Sequence, residues 1–348
     1  MNIKINNKIK ISPSTSPLIV AEISGNHNGS KKALLDNIRY AAKSGADLVK
    51  IQTYEPEDIT IKKLDNRFVL KKGIWKNKSL WEIYKKACTP FVWHKDAFKL
   101  AKKLNVILFS SPFSKRAVDL LEKFKVRLYK IASMEITDYQ LIDYIAQKRK
   151  PIILSTGMAS INEIRNAIKI INKYHNKIII LYCVSGYPTS EKESNLNSIS
   201  FYKKAFKNYN IGISDHTKGI RTSLTAIALG AKVIEKHFIK SKKVKTIDSE
   251  FSIDKNQLIK LSNEAIKVHE SLGRHSKRVQ KIEKGNLKFR RSIFASKNIL
   301  KGERITDKNI QCLRPKIGIS SNKYFKILGK KAKKNIKKLS PIYLEQIY

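Results

Sequence analysis

Eight short apolar runs, each followed by polar residues, recur along the first two thirds of the chain. These runs are residues 18–21, 48–51, 106–109, 128–132, 152–154, 178–181, 211–213 and 233–234. Amphipathic stretches with helical spacing lie between them, for example residues 31–44, 114–123, 139–147, 162–174 and 223–229. Alternating strands and helices predict a parallel sheet. Eight such units favour a closed (β/α)8 TIM barrel, an α/β fold, over an open sheet.

The last two runs carry the most informative pair of side chains. Ser214, Asp215 and His216 follow the seventh run, and Glu235, Lys236 and His237 follow the eighth. Neighbouring parallel strands lie about 4.8 Å apart, so histidines at matching strand ends can share one metal ion. A histidine at a strand end is more often simply a hydrogen-bonded surface or core residue, and from these two runs alone both interpretations stay open.

Length and composition are compatible with a barrel plus a small additional module. The chain has 348 residues, of which 42% are hydrophobic, enough for a substantial core. Residues 1–16 are polar and lysine-rich, without the apolar segment of a signal peptide, and no apolar stretch approaches the ~20 residues of a membrane helix. Three scattered cysteines suit a reducing compartment, so we expect a cytoplasmic protein that does not bind membranes.

The formal net charge of +43 raises the alternative of a nucleic-acid-binding protein. However, the lysines are spread along the whole chain, and the aromatic interleaving typical of single-strand binders is absent. Abundant Lys, Ile and Asn indicate AT-rich codon usage. We therefore favour a solvated basic surface that attracts anionic substrates, with no nucleic-acid partner.

The two ends of the chain and one long insertion complete the predicted organisation. Ile3, Ile5, Ile9 and Ile11 alternate with polar residues, which predicts a hairpin across the bottom of the barrel. Residues 55–103 exceed one connecting loop and contain tryptophans, which predicts one or two extra helices over the mouth. We predict a catalytic domain at 1–272, a polar linker at 273–285 and a separate small domain at 286–348.

Polar side chains at the strand ends are expected to face one mouth, because barrel active sites lie at the carboxyl ends of the strands. This set comprises Glu22, Lys50, Gln52, Ser111, Lys130, Ser133, Glu135, Ser155, Ser214, His216, Glu235 and His237. Lysines and hydroxyls together suit a phosphate or a carboxylate. Two histidines form an open divalent site that can polarise a carbonyl, and Glu22 and Glu135 are candidate bases or sugar ligands. A Schiff base on Lys50 or Lys130 is a competing possibility on spacing alone.

Several motifs in order resemble the sialic acid (nonulosonic acid) synthase family. They are AEISGNHNGS (21–30), GADLVKIQTY (45–54), FSSPFS (109–114), YKIASMEITD (129–138), PIILSTGMAS (151–160), SDHTKGI (214–220) and VIEKHF (233–238). From FRRSIFASKNILKGE (289–303) onward, the tail is similar to that family's C-terminal antifreeze-like (SAF) domain. The resemblance implies a transferase that condenses phosphoenolpyruvate with an amino sugar. It also implies attack by C3 on the metal-polarised aldehyde, addition of water at C2 and departure of phosphate by C–O cleavage, without a Schiff base.

Within the family, two stretches resemble the branch that makes pseudaminic acid. They are KSLWEIYKKACTPFVWHK (78–95) and CVSGYP (183–188). The implied sugar is 2,4-diacetamido-2,4,6-trideoxy-L-altrose, with the N-acetylneuraminic and legionaminic acid synthases as alternatives.

The same resemblance implies roles for individual residues. His216 and His237 would bind a divalent metal cation, Mn²⁺ or Mg²⁺. Phosphoenolpyruvate would be held by Lys50, Lys130, Ser111, Ser133, Ser155 and Ser214. The sugar would contact Glu22, Gln52, Glu135, Tyr187 and Asp248, and Glu22 would orient or deprotonate water or a substrate hydroxyl. Arg314 would reach the partner subunit's site in a domain-swapped homodimer.

One loop departs from the family pattern. After KHF the family continues with Thr-Leu-Asp, whereas Ile239, Lys240 and Ser241 follow here, and Thr246-Ile247 replaces a Gly-Pro before Asp248. Because this loop borders the expected site, the departure leaves its sugar contacts open.

Overall fold

A computed structural model describes residues 1–63, 65–273 and 277–348. The chain divides into two compact units, Met1–Gly273 and Arg274–Tyr348. None of the described helices is both long enough and apolar enough to cross a membrane.

The first unit begins with a hairpin and continues as alternating strands and helices. Its elements are β1 (Ile3–Lys4), β2 (Lys10–Ile11), β3 (Leu18–Glu22), α1 (Lys31–Lys43), β4 (Leu48–Thr53), α2 (Leu80–Ala87), α3 (His94–Lys103), β5 (Ile107–Pro112), α4 (Lys115–Lys123), β6 (Tyr129–Ile131), α5 (Tyr139–Ala146), β7 (Ile152–Ser155), α6 (Ile161–Asn172), β8 (Ile178–Cys183), α7 (Asn197–Ala205), β9 (Asn210–Asp215), α8 (Arg221–Ala228), β10 (Val233–His237) and α9 (Lys255–Ser271). Strands β3 to β10 are all parallel and close into a barrel, in which β10 pairs with both β9 and β3. The predicted barrel is therefore confirmed.

Local sequence signals explain where the helices begin and end. Ser160 and Glu163 form a reciprocal capping box at the start of α6, and Asp254 and Gln257 do the same for α9. Gly45 follows α1 with a φ of +91°, a conformation that glycine adopts without strain. The insertion predicted between 55 and 103 supplies one extra helix, α2, before the barrel helix α3.

The barrel interior has an apolar lower layer. The predicted hairpin is confirmed, with Ile3 paired to Ile11, and its isoleucines pack with the inward-facing side chains of the strands. That cluster comprises Ile3, Ile5, Ile11, Leu18, Val20, Leu48, Phe109, Leu128, Ile153, Ile179, Leu181 and Val233. In this layer, a Cβ on Gly212 would lie 2.3 Å from the Val233 carbonyl oxygen and 2.6 Å from Leu181. The close packing therefore excludes a larger residue at position 212.

A second, larger core lies between the strands and the surrounding helices. It includes Ile19, Val49, Ile131, Leu154 and Ile234, which point outward from the barrel. Each strand thus alternates between the inner layer and this outer core, as expected from the two-residue period of a strand.

The second unit has its own small core. β11 (Ser292–Ala295) and β12 (Ile310–Leu313) form an antiparallel pair, and α10 (Tyr324–Ile327) follows. Buried isoleucines from all parts of the unit pack together, among them Ile293, Ile305, Ile319 and Ile342. Part of the segment predicted as a linker, 273–285, is helical, because Lys281–Phe289 forms 3-10 turns; residues 274–276 lie outside the described part.

Candidate active site

The inward-facing positions of each barrel strand change from apolar to polar toward the carboxyl end. In β3, Leu18 and Val20 are followed by Glu22, and in β4, Leu48 is followed by Lys50 and Gln52. The same change occurs on the other strands, which contribute Ser111, Lys130, Ser155, Cys183, Ser214, Glu235 and His237. Because the lower layer is closed by the hairpin, these polar side chains lie at the other end of the barrel, where TIM-barrel active sites form.

Lys50 is the centre of a buried ion-pair cluster. Its Nζ lies 2.5 Å from Glu22 Oε2 and 3.1 Å from Glu235 Oε1, and the three side chains are at most 4% exposed. Burial lowers the pKa of Lys50 to about 8, although Glu235 opposes that shift. Burial by itself would raise the pKa of Glu235, but Lys130 and Lys50 together hold it below its ordinary value. The cluster therefore keeps a carboxylate beside two lysines inside the barrel.

Lys130 is less closely paired than Lys50. Its Nζ donates to Ser155 Oγ at 2.6 Å and to the carbonyl oxygen of Ile131 at 3.1 Å, while Glu235 Oε1 is 3.8 Å away. Two positions beyond Ser155, the amide of Gly157 donates to Ser133 Oγ at 3.0 Å. A buried ammonium hydrogen-bonded to a serine hydroxyl is a suitable environment for a phosphate or carboxylate oxygen.

His216 and His237 face each other, with ring centroids 5.4 Å apart. His216 Nδ1 lies 3.0 Å from the carbonyl oxygen of Val184; since a carbonyl only accepts, Nδ1 carries the proton and Nε2 is the free nitrogen of the neutral ring. Among the described groups, the buried Nδ1 of His237 has no hydrogen-bond partner, and Asp248 Oδ2 is 3.9 Å from it. The predicted pair is thus brought together, although its metal role stays a prediction.

The chemistry of this pair fits a divalent cation that takes further ligands from substrate or water. Burial lowers the pKa of His237 well below its ordinary value, which keeps it in the neutral form that binds metals. Burial is the largest influence on the pKa of His216 and lowers it, but Cys183, the Val184 carbonyl and Asp215 together raise the pKa above its ordinary value. A cation at this nitrogen pair therefore competes with a proton. Over residues 1–63, 65–273 and 277–348, no three His, Cys, Asp or Glu side chains lie close enough to hold an ion by themselves. Such a site would therefore stay open to substrate.

The loop after β3 is tied to the loop after β10. Glu22 Oε1 accepts the amide of Ser24 at 2.6 Å, and Asp248 Oδ2 accepts the amide of Gly25 at 3.0 Å. A Cβ on Gly25 would lie 2.3 Å from the Ile247 side chain. These contacts tie Glu22 and Asp248 to the same short segment, and the sugar contacts of both residues stay a prediction.

Aromatic side chains cover the histidines. The Tyr187 ring lies 4.5 Å from His216, and the Phe251 ring lies 4.8 Å from His237. Trp75, from the insertion, lies 5.7 Å from Tyr187, and its Nε1 donates to the carbonyl oxygen of Ile247 at 3.1 Å. The insertion therefore reaches the mouth of the barrel.

The loop 239–247 packs against the same insertion. Ile247 packs with Ile83 and Ala87 of α2 in a small apolar cluster that also contacts Trp75. Thr246 Oγ1 donates to Asn26 Oδ1 at 2.5 Å. Thr246 and Ile247 thus join the loop to α2 and to the loop after β3.

Three of the predicted site residues lie outside the central cluster of Lys50, Glu235 and the histidines. Gln52 stands opposite Ser111 in the strand register and is half-buried. Glu135 lies in the 3-10 turn after β6, where burial raises its pKa to about 7. Arg314 belongs to the second unit, where it lines a cavity of about 500 Å³ with Arg290 and Arg291. Its approach to a partner's site stays a prediction.

Sequence reasoning assigned no role to two residues that occupy the centre of the site. Glu235 links Lys50, Lys130 and Ser214, whose Oγ donates to it at 3.0 Å. Cys183 Sγ lies 3.8 Å from His216 Nδ1, beside a cavity of about 450 Å³ that the loop 183–189 lines. The signal was available in the two-residue alternation, since Glu235 stands two positions before His237 and Cys183 follows Leu181.

Comparisons with known proteins agree with the fold and the arrangement of the site. The NeuB family model matches residues 37–277 and the SAF domain model matches residues 290–347. The chain belongs to the NeuB family and carries an SAF domain. The resemblance found in the sequence motifs is confirmed.

Individual relatives extend over nearly the whole chain. A pseudaminic acid synthase of Helicobacter pylori is 42% identical over 95% of this chain and 98% of its own length. An N,N'-diacetyllegionaminic acid synthase of Campylobacter jejuni is 37% identical over 92% of this chain and 97% of its own. The crystal structure of N-acetylneuraminic acid synthetase from Leptospira borgpetersenii, in complex with citrate, has a TM-score of 0.74 and 31% identity, covering 82% of this chain and 95% of that chain.

Proposed function

We propose that this protein is a pseudaminic acid synthase. It condenses phosphoenolpyruvate with 2,4-diacetamido-2,4,6-trideoxy-L-altrose and water to give pseudaminic acid and phosphate. The observation that carries the proposal is one buried cluster in which Glu235 joins Lys50 and Lys130, two positions before His237 of the facing histidine pair. This condensation needs one subsite for the phosphoenolpyruvate anion and one for the carbonyl group of the sugar.

The anion subsite lies on the Lys130 side of the barrel. Lys130 and Ser155 are already hydrogen-bonded to each other, and Ser133 stands next to Gly157. With Lys50, Ser111 and Ser214 they supply two positive charges and several hydroxyls to phosphoenolpyruvate. Because this pocket is buried, its charges act on the substrate with little screening.

The carbonyl subsite lies on the histidine side. His216 and His237 would hold Mn²⁺ or Mg²⁺, which when bound supplies the Lewis acidity that polarises the sugar aldehyde. Tyr187 and Asp248 lie on this side and contact the sugar, together with Gln52 from β4 and Glu135 from the turn after β6. The rings of Tyr187 and Phe251 lie against the two histidines and limit the access of bulk water to the sugar carbonyl.

Glu22 stands between the two subsites. Its Oε1 is fixed by the amide of Ser24, and its Oε2 is paired with Lys50. In this position Glu22 orients the water, or a substrate hydroxyl, and takes its proton. The neighbouring lysine stabilises the carboxylate until that step.

We infer the assembly and the location of the enzyme from the resemblance of its sequence to the family. Residues 1–272 carry the chemistry, and the segment 286–348 forms the SAF domain. In a homodimer, this domain presents Arg314 to the partner's barrel. The enzyme works in the cytoplasm, where phosphoenolpyruvate is available.

The assignment is tested by measuring phosphate release from phosphoenolpyruvate, with and without EDTA, across a sugar panel. The panel contains the L-altrose derivative, its legionaminic-type mannose counterpart and N-acetylmannosamine. We expect metal-dependent release with the altrose sugar only. Release with the mannose counterpart instead would identify a legionaminic acid synthase, which the 37% identical relative makes the main competitor.

Substitutions test the site separately from the sugar. His216→Ala and His237→Ala should abolish release while the protein stays folded. His269→Ala is the matched control, because His269 lies on α9 beside Ser14, near the hairpin end of the barrel. Full activity in either site variant would refute the histidine assignment.

A further inference from the structure

A second buried ion pair lies behind the histidines, on the outer face of the barrel wall. Asp215 and Lys236 stand directly opposite each other in the register of β9 and β10. Lys236 Nζ lies 3.0 Å from Asp215 Oδ2, and both side chains are 0% exposed. Each residue immediately precedes one of the facing histidines, so side chains that alternate across the strand put the ion pair outside and the imidazoles inside.

This pair is the centre of a fully satisfied hydrogen-bond network. Asp215 Oδ1 accepts the amide of Thr217 at 2.8 Å and its hydroxyl at 2.7 Å. Asp215 Oδ2 also accepts Ser223 Oγ of α8 at 2.5 Å. Lys236 Nζ donates to the carbonyl oxygen of Thr217. The network therefore holds the backbone before and after His216 and connects it to Lys236, the residue that precedes His237.

Backbone pairing between β9 and β10 does not connect the two histidines. Pairing between β9 and β10 ends at Asp215 and Lys236. Beyond it, His237 pairs with Glu22 of β3, whereas the carbonyl oxygen of His216 accepts the amide of Thr189. The two histidines are thus held by different neighbours, and the Asp215–Lys236 pair is the last direct link between their strands.

We propose that Asp215 and Lys236 are positioning residues that set the spacing and orientation of His216 and His237 for one divalent cation. This inference rests on the metal-binding part of the proposed function. A buried ion pair adds little net stability compared with apolar residues of the same volume, because desolvation offsets the attraction. Its role here is therefore to hold the ends of β9 and β10 in one arrangement. Residues hydrogen-bonded to a metal ligand change metal affinity by about 10- to 100-fold when they are substituted. Because this pair acts through the backbone of the ligands, we expect an effect at the lower end of that range.

The test is Mn²⁺ binding by the substrate-free protein, measured by isothermal titration calorimetry. Lys236→Met and Asp215→Asn should each weaken Mn²⁺ binding by about 10-fold or more. Mn²⁺ binding by the double variant should be no weaker than Mn²⁺ binding by the weaker-binding single variant, since the pair acts as one unit. Binding of phosphoenolpyruvate, which depends on the Lys130 side, should stay close to that of the wild type.

Thr53→Val is the matched control. Thr53 is also fully buried on the outer face of the wall, where its Oγ1 lies 2.6 Å from Ser110 Oγ and 2.8 Å from His94 Nε2. This substitution should lower the melting temperature and leave Mn²⁺ affinity unchanged. The control thus separates general loss of stability from loss of positioning.

A gentler variant keeps the inference testable if the ion-pair variants fail to fold. Ser223→Ala removes one hydrogen bond to Asp215 and should weaken Mn²⁺ binding by about threefold. Unchanged Mn²⁺ affinity in the folded variants, or absence of Mn²⁺ binding in the wild type, would overturn the inference. Weakened Mn²⁺ binding in a protein that turns over none of the sugars would leave it standing while the proposed reaction fails.

Discussion

Lys50 Nζ lies 2.5 Å from Glu22 Oε2 inside the barrel, and both side chains are almost completely buried. The strand register places these two residues directly opposite each other. In the substrate-free protein, the charge of this lysine is therefore balanced by carboxylates of the protein itself. An anionic substrate that enters must compete with Glu22 and Glu235 for the same ammonium groups.

Glu235→Gln should destabilise the protein by about 3 kcal/mol, because it leaves two buried lysines with one fewer carboxylate. The loss should also lower the pKa of Lys50 further, since Glu235 now raises it. Inorganic phosphate should restore stability to this variant and raise its melting temperature more than that of the wild type. Glu122→Gln, at the outer pair with Lys150, is the control and should respond to phosphate as the wild type does. An equal phosphate response in Glu235→Gln would argue against an anion subsite at this cluster.

Lys130→Met should reduce kcat/KM for phosphoenolpyruvate by about 100-fold or more, because a buried charge beside the substrate is removed. Ser155→Ala, which loses one hydrogen bond to that charge, should cost about 10-fold. Lys150→Met on the outer surface should stay within about twofold of the wild type. Steady-state kinetics with varied phosphoenolpyruvate measure all three. A small effect of Lys130→Met would place the anion elsewhere.

Glu135→Gln should change how stability depends on pH. Burial raises the pKa of Glu135 to about 7 in the folded protein, above its ordinary value of 4.5. A carboxyl with a raised folded pKa contributes stability that is fully present below pH 4.5 and is lost as the pH rises through about 7. The glutamine variant lacks this titration, so relative to the wild type it should gain up to about 3 kcal/mol over that interval. Denaturant unfolding at pH 4.5 to 8 measures the difference; a difference that does not vary with pH would contradict the shift.

Trp75→Ala should raise KM for the sugar by about 10-fold and change KM for phosphoenolpyruvate little. The substitution removes the ring against Tyr187 and the hydrogen bond to the Ile247 carbonyl, and so loosens the cover over the histidine side. Trp81→Ala, on α2 of the same insertion, is the size-matched control. Equal effects of both variants on the sugar would mean that the insertion acts only through its general folding.

Much of the fold and the site was predictable from local patterns. The two-residue alternation of β3 and β4 explains why Glu22 and Lys50 share the inner face, and the polar strand ends indicated where the chemistry lies. The NeuB-family motifs then brought His216 and His237 into one proposed metal site. These signals are readable because strand period, helix period and capping depend on neighbours a few residues away.

The relationships between strands were not readable in the same way. Nothing local indicates that Glu235 links Lys50 with Lys130, or that Gly25 donates to Asp248, 223 positions further along the chain. The sequence by itself determined the strand–helix units, the inward polar residues and the family. Only the tertiary structure decided the ion pairs, the pairing of Asp215 with Lys236 behind the histidines, and the reach of Trp75 to Tyr187. The physical reason is that register and barrel closure result from the packing of all eight strands and the hairpin together, so no single segment specifies them.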